Sequence, residues 1–225
     1  MPSATDDLPT SAAADDPAAV RIEIAAHPLA RHLVTHLRDT ATKPAQFRTL
    51  ANHLTTVLSL EATRDLSTRG QDVETPLETT GGDVLARGLV VVPILRAGLG
   101  MLPAIVDLFP DVSVGYIGLA RDETTAVASP YYQKLPKMQG RVVLVVDPML
   151  ATGGSACQAL DAVKAAGGSD IRLVCVVAAP EGVALVNRHH PDVRIFGGAL
   201  DRELNAAKYI LPGLGDFGDR LYGTH

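Results

Sequence analysis

From residue 89 onward the chain alternates short runs of valine, isoleucine and leucine with segments of helical periodicity. Strands that are apolar along their whole length are buried on both faces, and parallel strands need a crossover between them, usually a helix. The alternation therefore predicts an α/β fold with a parallel sheet. The predicted strands are 89–94, 112–119, 142–146, 171–177 and 193–196, and the predicted helices are 97–108, 154–166 and 181–190.

The residues before this alternation are predicted to form a tail, a short strand and two helices. Residues 1–19 are acidic and have neither the basic start nor the apolar centre of a secretion signal, so we expect a disordered tail. Residues 20–24 alternate like a short strand. A helix is predicted over 28–39, and the apolar spacing over 44–66 predicts a second, clearly amphipathic one. We expect these helices to form a hood on a single domain that spans 20–225.

Two polar segments interrupt the regular elements. Residues 75–82 contain two adjacent glycines and are predicted to form a hairpin or a loop. Residues 120–140 carry Pro130 and Pro136 and would form a long excursion between two strands. Insertions of this kind are usually functional or mobile, so we expect a flexible hairpin flap there.

Charge and cysteine content argue against several classes of protein. The net charge is −5, but the tail holds four acidic residues and no basic one, so the body is near −1. A broad nucleic-acid-binding face needs concentrated basic residues, and the apolar runs are far shorter than the ~20 residues of a membrane span. Cys157 and Cys175 form no CxxC pair and are expected to be reduced core thiols. We therefore expect a cytoplasmic enzyme with no nucleic-acid or membrane partner.

Segment 147–155, DPMLATGGS, joins a predicted strand to a predicted helix. Its two glycines allow backbone N–H groups to turn toward a ligand, the helix N-terminus attracts anions, and the hydroxyls of Thr152 and Ser155 add donors. The segment therefore predicts a phosphate cradle, while the carboxylate of Asp147 suits ribose hydroxyls or a metal. The alternative is an ordinary turn in which Ser155 caps the helix. No lysine follows the glycines, which excludes a Walker loop.

This segment resembles the loop that binds 5-phospho-α-D-ribose 1-diphosphate (PRPP) in type I phosphoribosyltransferases, in the form found in the uracil phosphoribosyltransferase family. Residues 91–98, VVPILRAG, resemble the diphosphate loop of that family. RDETT at 121–125 and PYYQKL at 130–135 resemble its flexible hairpin, and YILPGLGDFGDRLYGT at 209–224 resembles its uracil-binding C-terminus. The resemblance runs from about residue 20 to the end of the chain.

The resemblance implies an enzyme of pyrimidine salvage that transfers the phosphoribosyl group of PRPP to N1 of uracil, giving UMP and diphosphate. It implies that Asp147, Arg121 and Asp216 take part in catalysis. The uracil site would be formed by Ile210, Gly215, Asp216 and Phe217. The residues expected to bind PRPP are Arg96, Arg121, Asp147, Pro148, Met149, Leu150, Ala151, Thr152, Gly153, Gly154, Ser155 and Asp216.

The resemblance also implies a cofactor and partners. Mg²⁺ would be held mainly by substrate oxygens and water rather than by protein ligands. GTP activates some relatives, so it is a candidate effector here. Members of the family are dimers or higher oligomers, which predicts a homodimer or homotetramer.

The chain departs from the family at Phe217, where a small alanine is usual, and at Thr124, where an acid is common. The Phe217 ring either enters the base site and crowds substituents at C5 of uracil or points away into packing. Two other functions are weighed against the transferase. A nucleotide-sensing, RNA-binding regulator of pyrimidine genes with the same fold is disfavoured by the nearly neutral body. A transferase for a purine or orotate is disfavoured by the C-terminal sequence.

Overall fold

A computed structural model describes residues 20–121 and 128–224 of the chain. The tail expected over 1–19 lies outside the described residues, and so do residues 122–127 of the expected flap, including Thr124. The strands are β1 (Glu23–Ile24), β2 (Thr68–Glu74), β3 (Thr79–Leu85), β4 (Leu89–Leu95), β5 (Ser113–Val114), β6 (Tyr116–Arg121), β7 (Ala128–Lys134), β8 (Val142–Val146), β9 (Met149–Leu150), β10 (Asp170–Ala178), β11 (Arg194–Leu200), β12 (Glu203–Leu204) and β13 (Ile210–Leu211).

Helices lie before, between and after these strands. They are α1 (Pro28–Arg38), α2 (Pro44–Ala62), α3 (Leu102–Leu108), α4 (Gly154–Ala165), α5 (Pro180–His189) and α6 (Phe217–Tyr222). Proline stands in the first turn of α1, α2, α3 and α5, where its missing N–H is not needed. None of the helices in the described ranges has the length and hydropathy needed to cross a membrane.

The central sheet is parallel except at one edge. Its strand order is β1–β11–β10–β8–β4–β6–β7, and every pair is parallel apart from β6 and β7. Two short strands extend it, β5 beside β4 and β9 beside β10. The predicted α/β fold with a parallel sheet is therefore confirmed, and β6 and β7 form the hairpin expected before and after the flap tip.

Alternate residues of the central strands pack into two different cores. In β8, Val142, Leu144 and Val146 belong to one core, while Val143 and Val145 belong to the other. Helices α1, α2, α3 and α6 contribute to the first core, and α4 and α5 cover the second. All five side chains are fully buried, which explains why the strand is apolar at every position. The N-terminal helices thus form a layer directly on the sheet.

The elements differ from the predicted ones at two tight turns. The predicted helix 97–108 is instead a 3₁₀ turn, Ala97–Gly100, followed by α3. The turn packs against the end of β8, where a Cβ on Gly98 would lie 2.6 Å from the carbonyl oxygen of Val146. The strand predicted before the flap is divided at Gly115 into β5 and β6.

Strands β2 and β3 form a long hairpin outside the central sheet. Within the described residues they pair only with each other, and all of their residues except Val84 are exposed. The hairpin contains the turn predicted over 75–82. A hairpin there is therefore confirmed, with longer strands than expected.

Candidate active site

A cavity lies at the carboxyl ends of the parallel strands, where ligands bind in open α/β sheets. The loops after β4 and β8 meet the C-terminal segment around a volume of about 330 Å³. The lining residues are Ala97, Asp147, Met149, Ala151, Ala207, Lys208, Tyr209, Ile210, Gly215, Asp216, Phe217 and Gly218. Asp147 and all four residues predicted to bind uracil therefore share one cavity, although a long stretch of chain separates them.

The helix that follows Asp147 begins with N–H groups that no side chain caps. Gly153 is the N-cap of α4, with a left-handed φ of 85°, and its first turn has no side-chain cap hydrogen bond. The alternative in which Ser155 caps the helix is therefore wrong. Uncapped N–H groups and the helix dipole together bind anions. Residues 151–155 thus have the backbone geometry of a phosphate cradle.

A glycine in the next helix lets this loop take its position. A Cβ on Gly153 would lie 2.8 Å from the carbonyl oxygen of Gly182, and a Cβ on Gly182 would lie 2.4 Å from the carbonyl oxygen of Ala151. Side chains cannot occupy such space, so α5 and the loop approach each other only through these two glycines. Sequence reasoning missed the role of Gly182. The sequence signal for this role was a glycine in the first turn of a helix, a position that the low helix propensity of glycine disfavours.

The three residues after Asp147 are bonded to the sheet through their backbone. Pro148 and Leu150 are buried, and Met149 and Leu150 form β9. The carbonyl oxygen of Pro148 accepts a hydrogen bond from the N–H of Val176 at 3.0 Å, and that of Leu150 accepts one from Ala179 at 2.9 Å. These two carbonyl groups are therefore bonded to the sheet, while Met149 between them lines the cavity.

Two thiols lie near the segment that was predicted to bind phosphate, and neither is a ready nucleophile. Burial raises the pKa of Cys175 well above its usual value, and the charge of Asp147 raises it further. Burial also raises the pKa of the half-buried Cys157 to about 11, with a contribution from Asp161. Both are free thiols, as predicted. A thiol that stays protonated at neutral pH is a poor nucleophile.

The part of the cavity wall that was predicted to bind uracil includes a glycine turn followed by a short helix. Gly215 has a left-handed φ of 81°, and Asp216 caps α6 by accepting a hydrogen bond from the N–H of Asp219 at 2.9 Å. Ile210 is buried in β13 at the other end of the segment. The turn brings residues 215–217 to the cavity wall.

The Phe217 ring belongs to the core. The side chain is 1% exposed, and its ring lies 5.1 Å from the ring of Phe47 with an interplanar angle of 66°. Edge-to-face pairs of this kind are a stable aromatic geometry. Of the two orientations considered, the structure has the one in which the ring points into packing.

A buried ion pair holds the turn that precedes Gly215. Arg38, the last residue of α1, donates from Nη1 and Nη2 to the two carboxylate oxygens of Asp201 at 2.8 and 2.5 Å. The same Nη1 donates to the carbonyl oxygen of Gly213 at 2.7 Å, and the N–H of Gly213 donates to Asp201 at 2.9 Å. The Asp201 side chain is 4% exposed, so salt screens these contacts weakly. Both backbone polar groups of Gly213 are thus fixed by one pair of side chains.

Two further arginines connect the C-terminal segment to the N-terminal helices. Arg220 donates to the carbonyl oxygens of Leu37 and Leu214, the second at 2.8 Å, and burial lowers its pKa. Its guanidinium also lies 4.6 Å from the centre of the Phe47 ring, a cation–π contact. Arg48 of α2 reaches α6, where it donates to a backbone carbonyl at 2.8 Å. Sequence reasoning missed these arginines because each looks like an ordinary surface charge.

The two arginines predicted to bind diphosphate lie at the ends of β4 and β6. Arg96 follows β4 directly, its peptide bond to Leu95 is cis and its side chain is exposed. Arg96 does not line the cavity, but its neighbour Ala97 does. Arg121 ends β6 and pairs with Ala128 across the hairpin, while its side chain lies outside what the structure describes.

A family profile and the curated relatives reported below all carry the same family description. The family profile described as uracil phosphoribosyltransferase matches residues 24–224. A protein of that name from Bacillus pumilus is 50% identical over 200 residues, which cover 88% of this chain and 96% of the relative. Another from Thermosipho africanus is 49% identical over 207 residues, which cover 91% of this chain and 100% of the relative. A solved structure of an Aquifex aeolicus protein matches with a TM-score of 0.86 at 37% identity, and the match covers 89% of this chain and 97% of that one.

Proposed function

The chain belongs to the uracil phosphoribosyltransferase family, and we infer from this membership and from the cavity that it transfers the phosphoribosyl group of PRPP to N1 of uracil. The products are UMP and diphosphate, and the reaction serves pyrimidine salvage. The observation that carries the inference is that Asp147 shares one cavity with Ile210 and Gly215. One bond joins the ribose to the base in the product, so the two subsites have to be adjacent.

On the phosphate side, residues 151–155 hold the 5′-phosphate in this proposal. The left-handed turn at Gly153 and the uncapped N–H groups of α4 support it. A carboxylate only accepts hydrogen bonds, so Asp147 holds the ribose hydroxyls rather than the phosphate. Residues 148–150 complete the PRPP loop in this proposal, and their backbone bonds to β10 fix its position.

Arg96 and Arg121 bind the diphosphate in this proposal. A guanidinium pairs with phosphate oxygens through two parallel hydrogen bonds. The exposed position of Arg96 at the carboxyl end of β4 supports this role. Cations held there stabilise the negative charge that the leaving diphosphate takes from the anomeric carbon.

Asp147 and Asp216 act on the ribose in this proposal. Both line the cavity, and their carboxylates would stabilise the positive charge that develops on the ribose as the diphosphate leaves. Attack by N1 of uracil then depends on holding the two substrates in line. Asp216 also caps α6, which fixes the orientation of its carboxylate.

The base is recognised by backbone groups in this proposal. Uracil presents an acceptor, a donor and an acceptor along O4, N3–H and O2, a pattern that N–H and C=O groups at Ile210 and residues 215–217 can match. Cytosine reverses two of the three groups and would leave buried backbone groups unpaired. Sites built on such hydrogen bonds reject the wrong group by about 10⁴-fold.

The donor set fits a magnesium ion that the substrate carries. Within the described ranges, no group of three Asp, Glu, His or Cys side chains could hold a metal. The cavity offers the carboxylates of Asp147 and Asp216, which are oxygen donors of the kind Mg²⁺ prefers. Two carboxylates cannot complete the coordination of the ion by themselves. In this proposal its other ligands are therefore substrate oxygens and water. When bound, the ion neutralises charge on the diphosphate.

The proposal extends to a cytoplasmic homodimer or homotetramer. The hairpin of β2 and β3 supports a contact between copies, since an isolated two-stranded hairpin is marginally stable and its Leu77 is 95% exposed. The two free thiols are consistent with a reducing compartment. Sedimentation velocity of the full chain, with Leu77→Asp for comparison, tests the assembly. A GTP effector rests on the family resemblance alone and is tested by initial rates with and without GTP.

A panel of free bases tests the proposed reaction. With PRPP and Mg²⁺, uracil should give UMP, while cytosine, hypoxanthine and orotate should give no nucleotide. Absence of UMP would overturn the proposal. The comparisons lend no support to the RNA-binding alternative, and retention of RNA on a filter at physiological salt would be needed to restore it.

A further inference from the structure

Lys208 has a left-handed backbone with a φ of 65°, and within the described ranges it is the only residue other than glycine with a positive φ. It lies in the loop between β12 and β13. Its N–H donates to the carbonyl oxygen of Asn205 at 2.9 Å, and the Asn205 side chain accepts a hydrogen bond from the N–H of Tyr209 at 2.9 Å. These bonds hold the turn in a conformation that costs an L-residue energy and that glycine adopts freely.

The same residue lines the cavity of the candidate active site. The other charged lining residues are Asp147 and Asp216, so among the residues that the structure describes, Lys208 is the only cation on the cavity wall. Its side chain is exposed. None of the ion pairs in the described part of the chain involves its ammonium.

We propose that Lys208 is a further substrate-binding residue, whose ammonium contacts phosphoryl oxygens of PRPP. The inference rests on the proposed function, since PRPP would bring a phosphate and a diphosphate beside two carboxylates. A cation on the same wall offsets that repulsion and attracts the substrate. A strained backbone persists where the surrounding structure enforces it, and such residues cluster at functional sites. Glycine at this position would remove both the strain and the charge.

Either phosphoryl group of PRPP could be the one that Lys208 contacts. The cavity wall includes Ala151, where the 5′-phosphate cradle begins, and Ala97, the neighbour of the diphosphate-binding Arg96. Ribose 5-phosphate carries only the first group, and inorganic diphosphate is only the second. Calorimetric binding of these two ligands to the wild type and to Lys208 variants identifies which group is contacted.

The test uses two variants that remove the charge but tolerate the left-handed turn, Lys208→Gly and Lys208→Asn. Both should bind PRPP about tenfold more weakly by calorimetry, the scale of a lost charge-assisted hydrogen bond. The KM for uracil and kcat at saturating PRPP should stay at wild-type values. Lys208→Arg should restore PRPP binding, and added salt should shrink the difference between wild type and variants. Lys43→Gln, which removes an exposed lysine outside the cavity wall, is the matched control and should change nothing.

Wild-type PRPP affinity in both Lys208→Gly and Lys208→Asn would overturn the inference. Equal losses of affinity for PRPP and uracil would also overturn it, because they would indicate a structural role for the turn. Both results leave UMP formation by the wild type intact. Absence of UMP from the wild-type protein is a different result, and it contradicts the proposed function itself.

Discussion

The two sides of the cavity are built in different ways. The side proposed to bind phosphate, called the phosphate side below, is one continuous segment, 147–155, and its shape depends on the left-handed turn at Gly153. The side proposed to bind the base, called the base side below, is the segment 210–217, which is held by side chains from the opposite end of the chain. Arg38, for example, bonds to Gly213, 175 residues away. Local backbone conformation therefore shapes one side, and long-range ionic contacts position the other.

This difference predicts how substitutions on each side should affect substrate binding. A substitution at the glycine turn of the phosphate side should weaken PRPP binding by changing the shape of the loop, without removing a charge. Loss of the ion pair behind the base side should weaken uracil binding through residues that do not line the cavity. A substitution on one side should therefore change the affinity for PRPP or the affinity for uracil, but not both.

The largest effect is expected from Gly153→Val. A β-branched side chain resists the left-handed φ, and its Cβ would lie 2.8 Å from a backbone carbonyl oxygen of α5. A displacement of about 1 Å in a binding loop can cost about 100-fold, so PRPP affinity by calorimetry should fall by at least that factor. Wild-type affinity in this variant would show that the phosphate binds elsewhere.

Gly140→Val is the matched control for that variant. Gly140 also has a left-handed φ, of 71°, but nothing lies within 4 Å of the position of its Cβ. The control should lose about 1–2 kcal/mol of stability from backbone strain and still bind PRPP normally.

Phe217→Ala should produce a large loss of stability without a change in base selectivity. Removing a fully buried ring that packs on Phe47 should lower the free energy of unfolding by about 4 kcal/mol in a denaturant titration. The ratio of rates with 5-fluorouracil and 5-iodouracil should stay the same, because the ring points away from the base. Phe47→Ala removes the same contact and should behave alike. A changed ratio in Phe217→Ala would place the ring near C5.

Asp201→Ala should destabilise the protein by about 3 kcal/mol, since it leaves Arg38 without its buried partner. It should also raise the KM for uracil and leave PRPP affinity unchanged. Asp192→Ala is the control, because the exposed pair of Asp192 with Lys164 should be worth less than about 1 kcal/mol. Equal losses of stability in the two variants would contradict a special role for the buried pair.

The smallest effect concerns acid stability at His190, which follows the C-terminal end of α5 and faces α4. Burial lowers its pKa below the ordinary 6.5, as does the charge of Lys164, while Asp161 (3.6 Å) and Asp192 act in the opposite direction. Below about pH 6.5 the unfolded chain binds a proton that the folded chain does not, so stability should fall as pH falls. His190→Gln should flatten the decline of Tm between about pH 7 and pH 5 by about 2 °C. The exposed His189→Gln should leave the decline unchanged.

The sheet and the glycine turn before α4 could be predicted because their signals are local. A strand buried on both faces is apolar at every position, as in β8, and a glycine pair before a helical pattern marks a tight turn at the helix start. The same local view missed β12, β13 and α6, which are too short to show a period. It also missed β9, the two residues Met149–Leu150 that pair with β10 within the predicted loop.

The supports of the base side could not be predicted because they depend on tertiary structure. Arg38 and Asp201 are 163 residues apart and look like ordinary surface charges. Only the packing of α1 beside the C-terminal segment brings them together on Gly213. Gly182 is a similar case, since its role appears only when α5 meets the loop after β8.

The most direct test of this account is one pair of binding measurements on the double variant Arg38→Met, Asp201→Leu. Replacing a buried ion pair by apolar side chains of similar volume is often neutral for stability, so the loss should be limited to about 1–3 kcal/mol for each backbone group of Gly213 that is left unpaired, and the variant should fold. It frees both backbone groups of Gly213 while leaving residues 147–155 untouched. The account predicts wild-type PRPP affinity by calorimetry together with a KM for uracil raised about tenfold. A folded variant in which the uracil KM is unchanged, or in which PRPP binding falls as much as uracil binding, would contradict it.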